Sequence, residues 1–339
     1  MLKRLLNQDI PHNQHNAVIQ NLYYQIRLNK KLKPLNKGTV LIAGGSGFIG
    51  KHLYMALYKA GYNVYILSRN KKLCTREDFI YWNPDLGEIN LETSMSFDGI
   101  INLCGDGIAS KKWTSARKKE LIQSRTTPAG FLSQLITAGK LNTVVYIGAS
   151  AIGIYGHRPG KSPCLESDDI QSAAFLSDCC QQWESAHIDV SSTIRKVIIR
   201  VGLVLATSGG LLEQYKPLLS LRVAPYFGGG NPMMSWIEVN DLCQMFLFAL
   251  ENKQVEGIYN GVADNPVNSK TFASALIKTS GKKGITRRIP NFAIKWMMGE
   301  MSALMLESQH VSNQKIKKAG FRFVHKEIFE TLRGMKEEQ

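Results

Sequence analysis

An apolar run, Val40-Leu41-Ile42-Ala43, stops abruptly at Gly44-Gly45-Ser46-Gly47-Phe48-Ile49-Gly50. Leu53, Ala56, Leu57 and Ala60 follow at helical spacing, Gly61 ends that pattern, and Val64-Tyr65-Ile66-Leu67 reads as a second strand. Glycines alone would mark only a turn. Strand, tight turn, helix and strand within about 30 residues is the context that makes them a dinucleotide-binding fingerprint. Gly44 allows a sharp turn after the strand, Gly47 lets backbone N–H groups approach a pyrophosphate, and Gly50 lets the helix pack closely on the sheet. The helix N-terminus then offers its unpaired donors and positive dipole end to the phosphates. Gly45, Gly47 and Gly50 match G-x-G-x-x-G, while Gly44, Gly47 and Gly50 match the wider G-x-x-G-x-x-G, and both spacings stand. Gly44, Ser46, Gly47, Phe48, Ile49 and Gly50 are the expected contacts.

Cofactor choice is written at the end of the second strand. An NAD site usually places an acidic residue there for the ribose hydroxyl. This chain has Ser68-Arg69-Asn70, then Lys71 and Lys72. Arg69 can stack on an adenine and bind a 2′-phosphate through two N–H groups. NADP(H) is therefore expected over NAD(H), against the alternative that Arg69 and the lysines form only a solvated loop.

Of the 339 residues, 44% are hydrophobic and 20% charged, which suits a globular protein with an ample core. No run reaches the ~18 apolar residues of a membrane span; the richest stretch, Phe292 to Leu306, is interrupted by Lys295 and Glu300. The formal charge is +15, of which residues 1–37 contribute +6. A basic surface can serve an anionic cofactor as well as a nucleic acid. Without a nucleic-acid motif or interleaved basic and aromatic residues, no nucleic-acid partner is expected. The six cysteines, at 74, 104, 164, 179, 180 and 243, form no C-x-x-C pair, and the seven histidines show no ligand spacing, so no metal is expected. Reduced thiols fit a cytoplasmic location.

Residues 1–37 stand apart as a basic extension, with Val18, Ile19, Leu22, Tyr23 and Ile26 at helical spacing. It reads as an appendage, with membrane contact or targeting as the other options. From residue 38 strands and helices alternate. Phe79–Trp82 is a short strand or turn, and Gly99–Leu103 a buried strand ending at Cys104-Gly105. A helix is expected from about Ser115 to Ala138, a strand over Thr143–Ile147 and a helix around 173–188. Val197–Val201 is a further strand and Ile258–Gly261 the last. The repeat predicts an α/β, Rossmann-type, doubly wound parallel sheet, and ligands bind such sheets beyond the carboxyl ends of the strands. Leu103, Cys104, Gly105, Asp106, Ala149, Ser150 and Leu203 are thus also expected at the cofactor, together with Ser68 and Arg69. Helices are expected at 269–279 and 291–306, with another after Phe323. The predicted division is 1–37, a cofactor-binding domain over 38–286 with substrate-region insertions about 205–240, and a small helical C-terminal domain over 287–336.

These segments resemble the extended and atypical short-chain dehydrogenase/reductase superfamily, and within it the epimerase family proteins that carry a small helical C-terminal domain. The anchors span about 38–336: Ala43–Gly50, Ile101-Asn102-Leu103-Cys104-Gly105, Lys112-Trp113-Thr114, Ser124-Arg125, Ser150–Gly156, Ser235-Trp236-Ile237, Gly299-Glu300-Met301 and Ala319-Gly320-Phe321. The resemblance implies a Rossmann fold, NADP(H) binding, and oxidoreductase or epimerase activity on a small-molecule substrate it does not identify. It also implies departures. Most of the superfamily uses Ser/Thr, Tyr and Lys, the Tyr exchanging a proton while the nicotinamide exchanges hydride. Anchored on Tyr155-Gly156 and Glu184, those positions fall on Ala151, Leu176 and Cys180, so the usual triad is missing. Ser150 and Tyr155 are the neighbouring candidates for a catalytic role, with cofactor contact and packing as their plainer reading. Glu238 stands where relatives carry a His. Asp106 suits either a nicotinamide ribose or a turn cap, Lys112 an anionic substrate or solvent, and Trp113 and Trp236 a pocket wall or the core. The expected function is an NADP(H)-binding oxidoreductase, with epimerisation as one form of it. The alternative is an NADP(H)-binding regulator or scaffold without turnover.

Overall fold

In the computed structural model, which describes residues 37–91, 95–160, 162–170, 173–188, 194–281 and 283–337, the glycine-flanked strand lies at the centre of the main sheet. The strands of this sheet are β1 (Gly38–Ala43), β2 (Tyr62–Ser68), β3 (Phe79–Asn83), β4 (Glu88–Ile89), β5 (Gly99–Asn102), β6 (Val145–Ala151), β7 (Arg195–Val201) and β8 (Gly257–Gly261). Their spatial order is β8-β7-β6-β5-β1-β2-β3-β4. Every pairing is parallel except β3 with β4. This is the Rossmann-type arrangement, in which the order reverses beside β1 and leaves a crevice at the carboxyl edge. The expected helical pattern at 18–26 lies outside the described residues.

The apolar run of β1 is explained by its two covered faces. Val40 and Ile42 enter a core shared with helices α1 (Phe48–Lys59) and α5 (Val239–Glu251), while Leu41 and Ala43 enter one shared with α2 (Ser115–Thr137). Alternate side chains of a strand point to opposite faces, so a strand buried on both sides must be apolar throughout. α1 turns Gly50, Leu53, Tyr54 and Leu57 toward the sheet, at the spacing of one helical face. α2 starts at Thr114, whose hydroxyl accepts from the Arg117 N–H at 3.1 Å, and packs beside α3 (Phe175–Ile188).

A second core forms around Trp236, Phe272, Ile294, Met298 and Leu332. Around it lie α4 (Gly210–Ser220), α6 (Ser269–Thr279), α7 (Asn291–Met298), α8 (Ala303–Leu306) and α10 (Ile328–Glu337), while α9 (Gln314–Lys318) precedes the last of these. The single helix expected over 291–306 is in fact broken. Gly299 takes a left-handed conformation (φ 56°) that ends α7, and one tight turn intervenes before α8. Among the described residues no helix is long and apolar enough to cross a membrane.

Candidate functional site

The chain leaves β1 through Gly44, at φ 79°, where a Cβ would come within 2.8 Å of the Leu103 carbonyl carbon. A Cβ on Gly50 would sit 2.6 Å from the Gly45 Cα, against the backbone of the turn. The Gly47 N–H closes the turn onto the Gly44 carbonyl at 3.0 Å. Gly47 is also the residue before α1 and offers no capping side chain. The first-turn N–H groups of a twelve-residue helix are thus left to whatever lies beyond the sheet edge, the arrangement that binds phosphate. The residues present fit a dinucleotide pyrophosphate. The Phe48 ring covers the neighbouring loop, since a Cβ on Gly209 would touch it at 2.7 Å. Ser46 is exposed and Ile49 half-buried at the same turn.

At the end of β2, Ser68 is buried and its hydroxyl accepts from the Asn70 N–H at 3.1 Å. Arg69 projects outward, with 71% of its side chain exposed. Its ion pair among the described residues, 3.6 Å to Asp85, is a surface contact of the kind that holds a side chain weakly. Arg69 remains close enough to the β5 end that its charge opposes the upward push of burial on the Cys104 thiol. Burial prevails, and the thiol is raised to about 12 and stays neutral.

The turn after β5 is held from below. Asn102, fully buried, accepts at Oδ1 from the Cys104 N–H (3.0 Å) and donates from Nδ2 to the Tyr146 hydroxyl (3.1 Å). That hydroxyl lies 2.8 Å from Nδ1 of His187 on α3, whose Nε2 lies 3.1 Å from the Ala149 carbonyl. A carbonyl only accepts, so Nε2 carries the hydrogen and Nδ1 accepts from Tyr146. Burial lowers the imidazole to about 4, so it is neutral. From above, the turn is bound to α2. Asp106 donates its N–H to Ser124 (3.0 Å) and its carbonyl accepts from Arg125 (3.0 Å), while its carboxylate pairs with Arg117 at 2.6 Å. Burial pushes that carboxyl up, but the Arg117 hydrogen bond, the Gly107 N–H and the nearby guanidinium charges hold it below the ordinary range. Arg125 also lies 5.0 Å over the Trp183 ring. The Lys-Trp-Thr and Ser-Arg segments are thereby explained. Thr114 caps the helix, Ser124 and Arg125 brace the turn, and Trp113 donates to the Ile108 carbonyl and meets Phe175 edge-on, while Lys112 is exposed.

Ser150, near the end of β6, and Tyr155, just beyond it, sit in one buried network. The Ser150 hydroxyl donates to Glu184 at 2.7 Å, and Glu184 takes both arms of Arg200 at 2.8 and 2.9 Å. Arg200 reaches the Tyr155 oxygen at 3.0 Å, and the Tyr155 hydroxyl donates to Asn260 at 2.7 Å. All five side chains are buried. Burial raises the Tyr155 phenol to about 12 despite Arg200, opposite in direction to what a proton-accepting tyrosine needs. The sequence reading missed Glu184, Arg200 and Asn260 as members. Its available signal was Arg200, a cation inside the apolar strand Val197–Val201, which must find an anion. Ala151, Leu176 and Cys180 do come together: a Cβ on Gly153 would meet Leu176 and Cys180 at 3.5 and 3.8 Å, and the Cys180 thiol interacts with the Ala151 backbone. Burial raises that thiol to about 12.

Glu238 caps α5, accepting from the N–H groups of Asn240 and Asp241 at 2.6 and 3.1 Å, and lies 3.4 Å from His325. Trp236 is core, its indole donating to the Asn265 carbonyl at 3.0 Å. Leu203 opens a short strand, Leu203–Leu205, that pairs with Trp236–Glu238. Among the described residues no three His, Cys, Asp or Glu side chains are grouped to hold a metal.

Comparison with known proteins supplies the relationships. Residues 40–260 match the model of the NAD dependent epimerase/dehydratase family, and residues 289–335 match a domain of unknown function, DUF1731. The epimerase family protein ML0860 of Mycobacterium leprae is 31% identical over 298 residues, 87% of this chain and 95% of that one. The epimerase family protein YfhF of Bacillus subtilis is 32% identical over 297 residues, 85% and 95% of the two chains. Among solved structures, the human epimerase family protein SDR39U1 (isoform 2) with NADPH superposes with a TM-score of 0.78 at 25% identity, covering 89% of this chain and 100% of that one.

Proposed function

Because the chain belongs to the NAD-dependent epimerase/dehydratase family, we propose that it binds NADP(H) in preference to NAD(H) and acts as an oxidoreductase on a small-molecule substrate. One observation carries the reading: an uncapped helix N-terminus behind the Gly44–Gly50 turn stands beside an exposed arginine where an NAD site would place an acid. The human relative's structure with NADPH is in keeping with it. The turn and the α1 N-terminus would hold the pyrophosphate, Arg69 the 2′-phosphate, and the Leu103–Asp106 turn and Ala149–Ser150 would flank the remaining half. Bound nicotinamide supplies or accepts a hydride. Residues 38–286 serve in this reading as the cofactor-binding unit and 287–336 as the part that closes the substrate side. That closure is supported by Ser308, whose N–H donates to His157 at 3.0 Å.

A second reading has its own support. Ala151 and Leu176 offer no group to exchange a proton, burial raises the Cys180 thiol to about 12, and Ser150 and Tyr155 are engaged within the Glu184–Arg200 network. An NADP(H)-binding regulator without turnover needs none of them. Calorimetric titration with NADPH and NADH tests the shared claim. Tighter NADPH binding is expected, and Arg69→Asp should weaken NADPH about tenfold or more while weakening NADH far less, because a charged phosphate contact is lost and repulsion added. Equal weakening of both removes Arg69 from the 2′-phosphate. Transfer of deuteride from labelled NADPH to any carbonyl or sugar acceptor then decides between enzyme and regulator.

A further inference from the structure

In the sheet order, Arg69 follows β2, the glycine turn follows the neighbouring β1, and β5 and β6 lie on the opposite side of β1. A dinucleotide with its 2′-phosphate at Arg69 and its pyrophosphate at the turn therefore has its nicotinamide-bearing half over β5 and β6. Resting on that reading, we propose that Tyr146 and His187 are positioning residues for this half, acting through Asn102 on the Leu103–Gly105 turn.

The connection is continuous. Cys104 N–H to Asn102, Asn102 to Tyr146, Tyr146 to His187 and His187 to the Ala149 carbonyl are four hydrogen bonds of 3.0, 3.1, 2.8 and 3.1 Å. Both of its ends are backbone atoms at the carboxyl edge, one after β5 and one in β6. Asn102, Tyr146 and His187 are fully buried. The strand also makes room for the ring, since a Cβ on Gly148 would come within 2.8 Å of His187 Nε2. Apolar side chains of the same shape would fill this space without any polar group to satisfy. A buried polar chain instead specifies one arrangement of what it holds. What it holds is the spacing between the Cys104 amide and the Ala149 carbonyl, the two walls of the nicotinamide side. None of its hydrogen bonds involves Arg69 or the Gly44–Gly50 turn, and it meets that turn only where the Leu103–Cys104 peptide packs on Gly44. Its hydrogen bonds thus bear directly on the nicotinamide half, and on the other half only through that one packing contact.

That selectivity is the test. The full chain and its Tyr146→Phe variant are titrated with NADPH and with adenosine 2′,5′-bisphosphate, which has the phosphorylated adenosine half and no nicotinamide. Tyr146→Phe unpairs both Asn102 Nδ2 and His187 Nδ1 and should weaken NADPH about fivefold to tenfold, the loss of about one hydrogen bond. The bisphosphate should bind within twofold of wild type. His187→Leu removes only the far end and should give a smaller loss of the same kind; it carries the test alone if Tyr146→Phe does not fold. Equal weakening of both ligands, or unchanged NADPH affinity alongside a lowered melting temperature, overturns the proposal and leaves the chain as core structure. A wild-type protein that binds neither ligand overturns the cofactor reading, and the proposal with it.

Discussion

The carboxyl edge of the sheet has two halves of opposite character. Over β1 and β2 the structure leaves polar capacity unfilled, with an α1 N-terminus that has no cap and a largely exposed Arg69. Over β6 and β7 it consumes that capacity: Ser150, Glu184, Arg200, Tyr155 and Asn260 bond to one another and to the Glu166 and Ser312 carbonyls, and Ala151, Leu176 and Cys180 occupy the adjoining ground. Open donors at a surface wait for a ligand, whereas a closed buried network stabilises only itself. The contrast predicts that damage on one side is read as binding and damage on the other as stability.

The strongest way to break the contrast is Glu184→Gln. It leaves the Arg200 guanidinium buried without its anion, and unpairing a buried ion pair costs about 3–5 kcal/mol. Urea unfolding should show a loss of that order; a loss under ~1 kcal/mol would mean the network is solvated and open after all. Next comes pH. The His187 imidazole sits at about 4 in the folded chain against 6.5 ordinarily. Below pH 6.5 the unfolded chain takes up a proton that the folded one refuses, so this group's stability contribution falls between about 6.5 and 4, by about 3 kcal/mol. The difference in unfolding free energy between wild type and His187→Leu, followed from pH 7.5 to 4, should shrink by that amount. A constant difference would show that the ring is accessible to protons. The smallest effect on stability belongs to Gly50→Ala, where a methyl must displace the turn backbone at about 1–3 kcal/mol. Its effect on NADPH affinity should nevertheless exceed that of Glu184→Gln, and the reverse ranking would erase the distinction between the halves.

The sheet was legible because its causes are local. β1 is apolar at every position since both faces are covered, the glycines interrupt at one point, and Arg69 follows a strand end directly. The interruption at Gly299 was present in the chain too, but the apolar residues on either side concealed it. What stayed hidden depends on distant partners. Tyr146 and His187 are 41 residues apart, and neither the helix nor the strand period relates them. Glu238 invited comparison with a histidine in relatives, whereas its carboxylate is the cap of the helix that follows, a role its place before Val239 would have allowed.

The segment after α8 is laid into the body of the molecule. Gln309 donates its N–H to the Met233 carbonyl, Ser235 donates its hydroxyl to the Gln309 carbonyl, Asn260 donates to the Ser312 carbonyl, and Asn313 reaches back to that of Val262. Asn260 is also the residue that receives the Tyr155 hydroxyl. During synthesis the ribosome emits the Rossmann strands long before this segment, and closing so wide a loop is slow. A nascent chain stalled near residue 300 lacks the Ser312 carbonyl to which Asn260 donates, and in the function proposed above its substrate side would still be uncovered. Under that proposal, order of manufacture would become order of competence: such a chain could meet a dinucleotide before it could enclose anything to react with it.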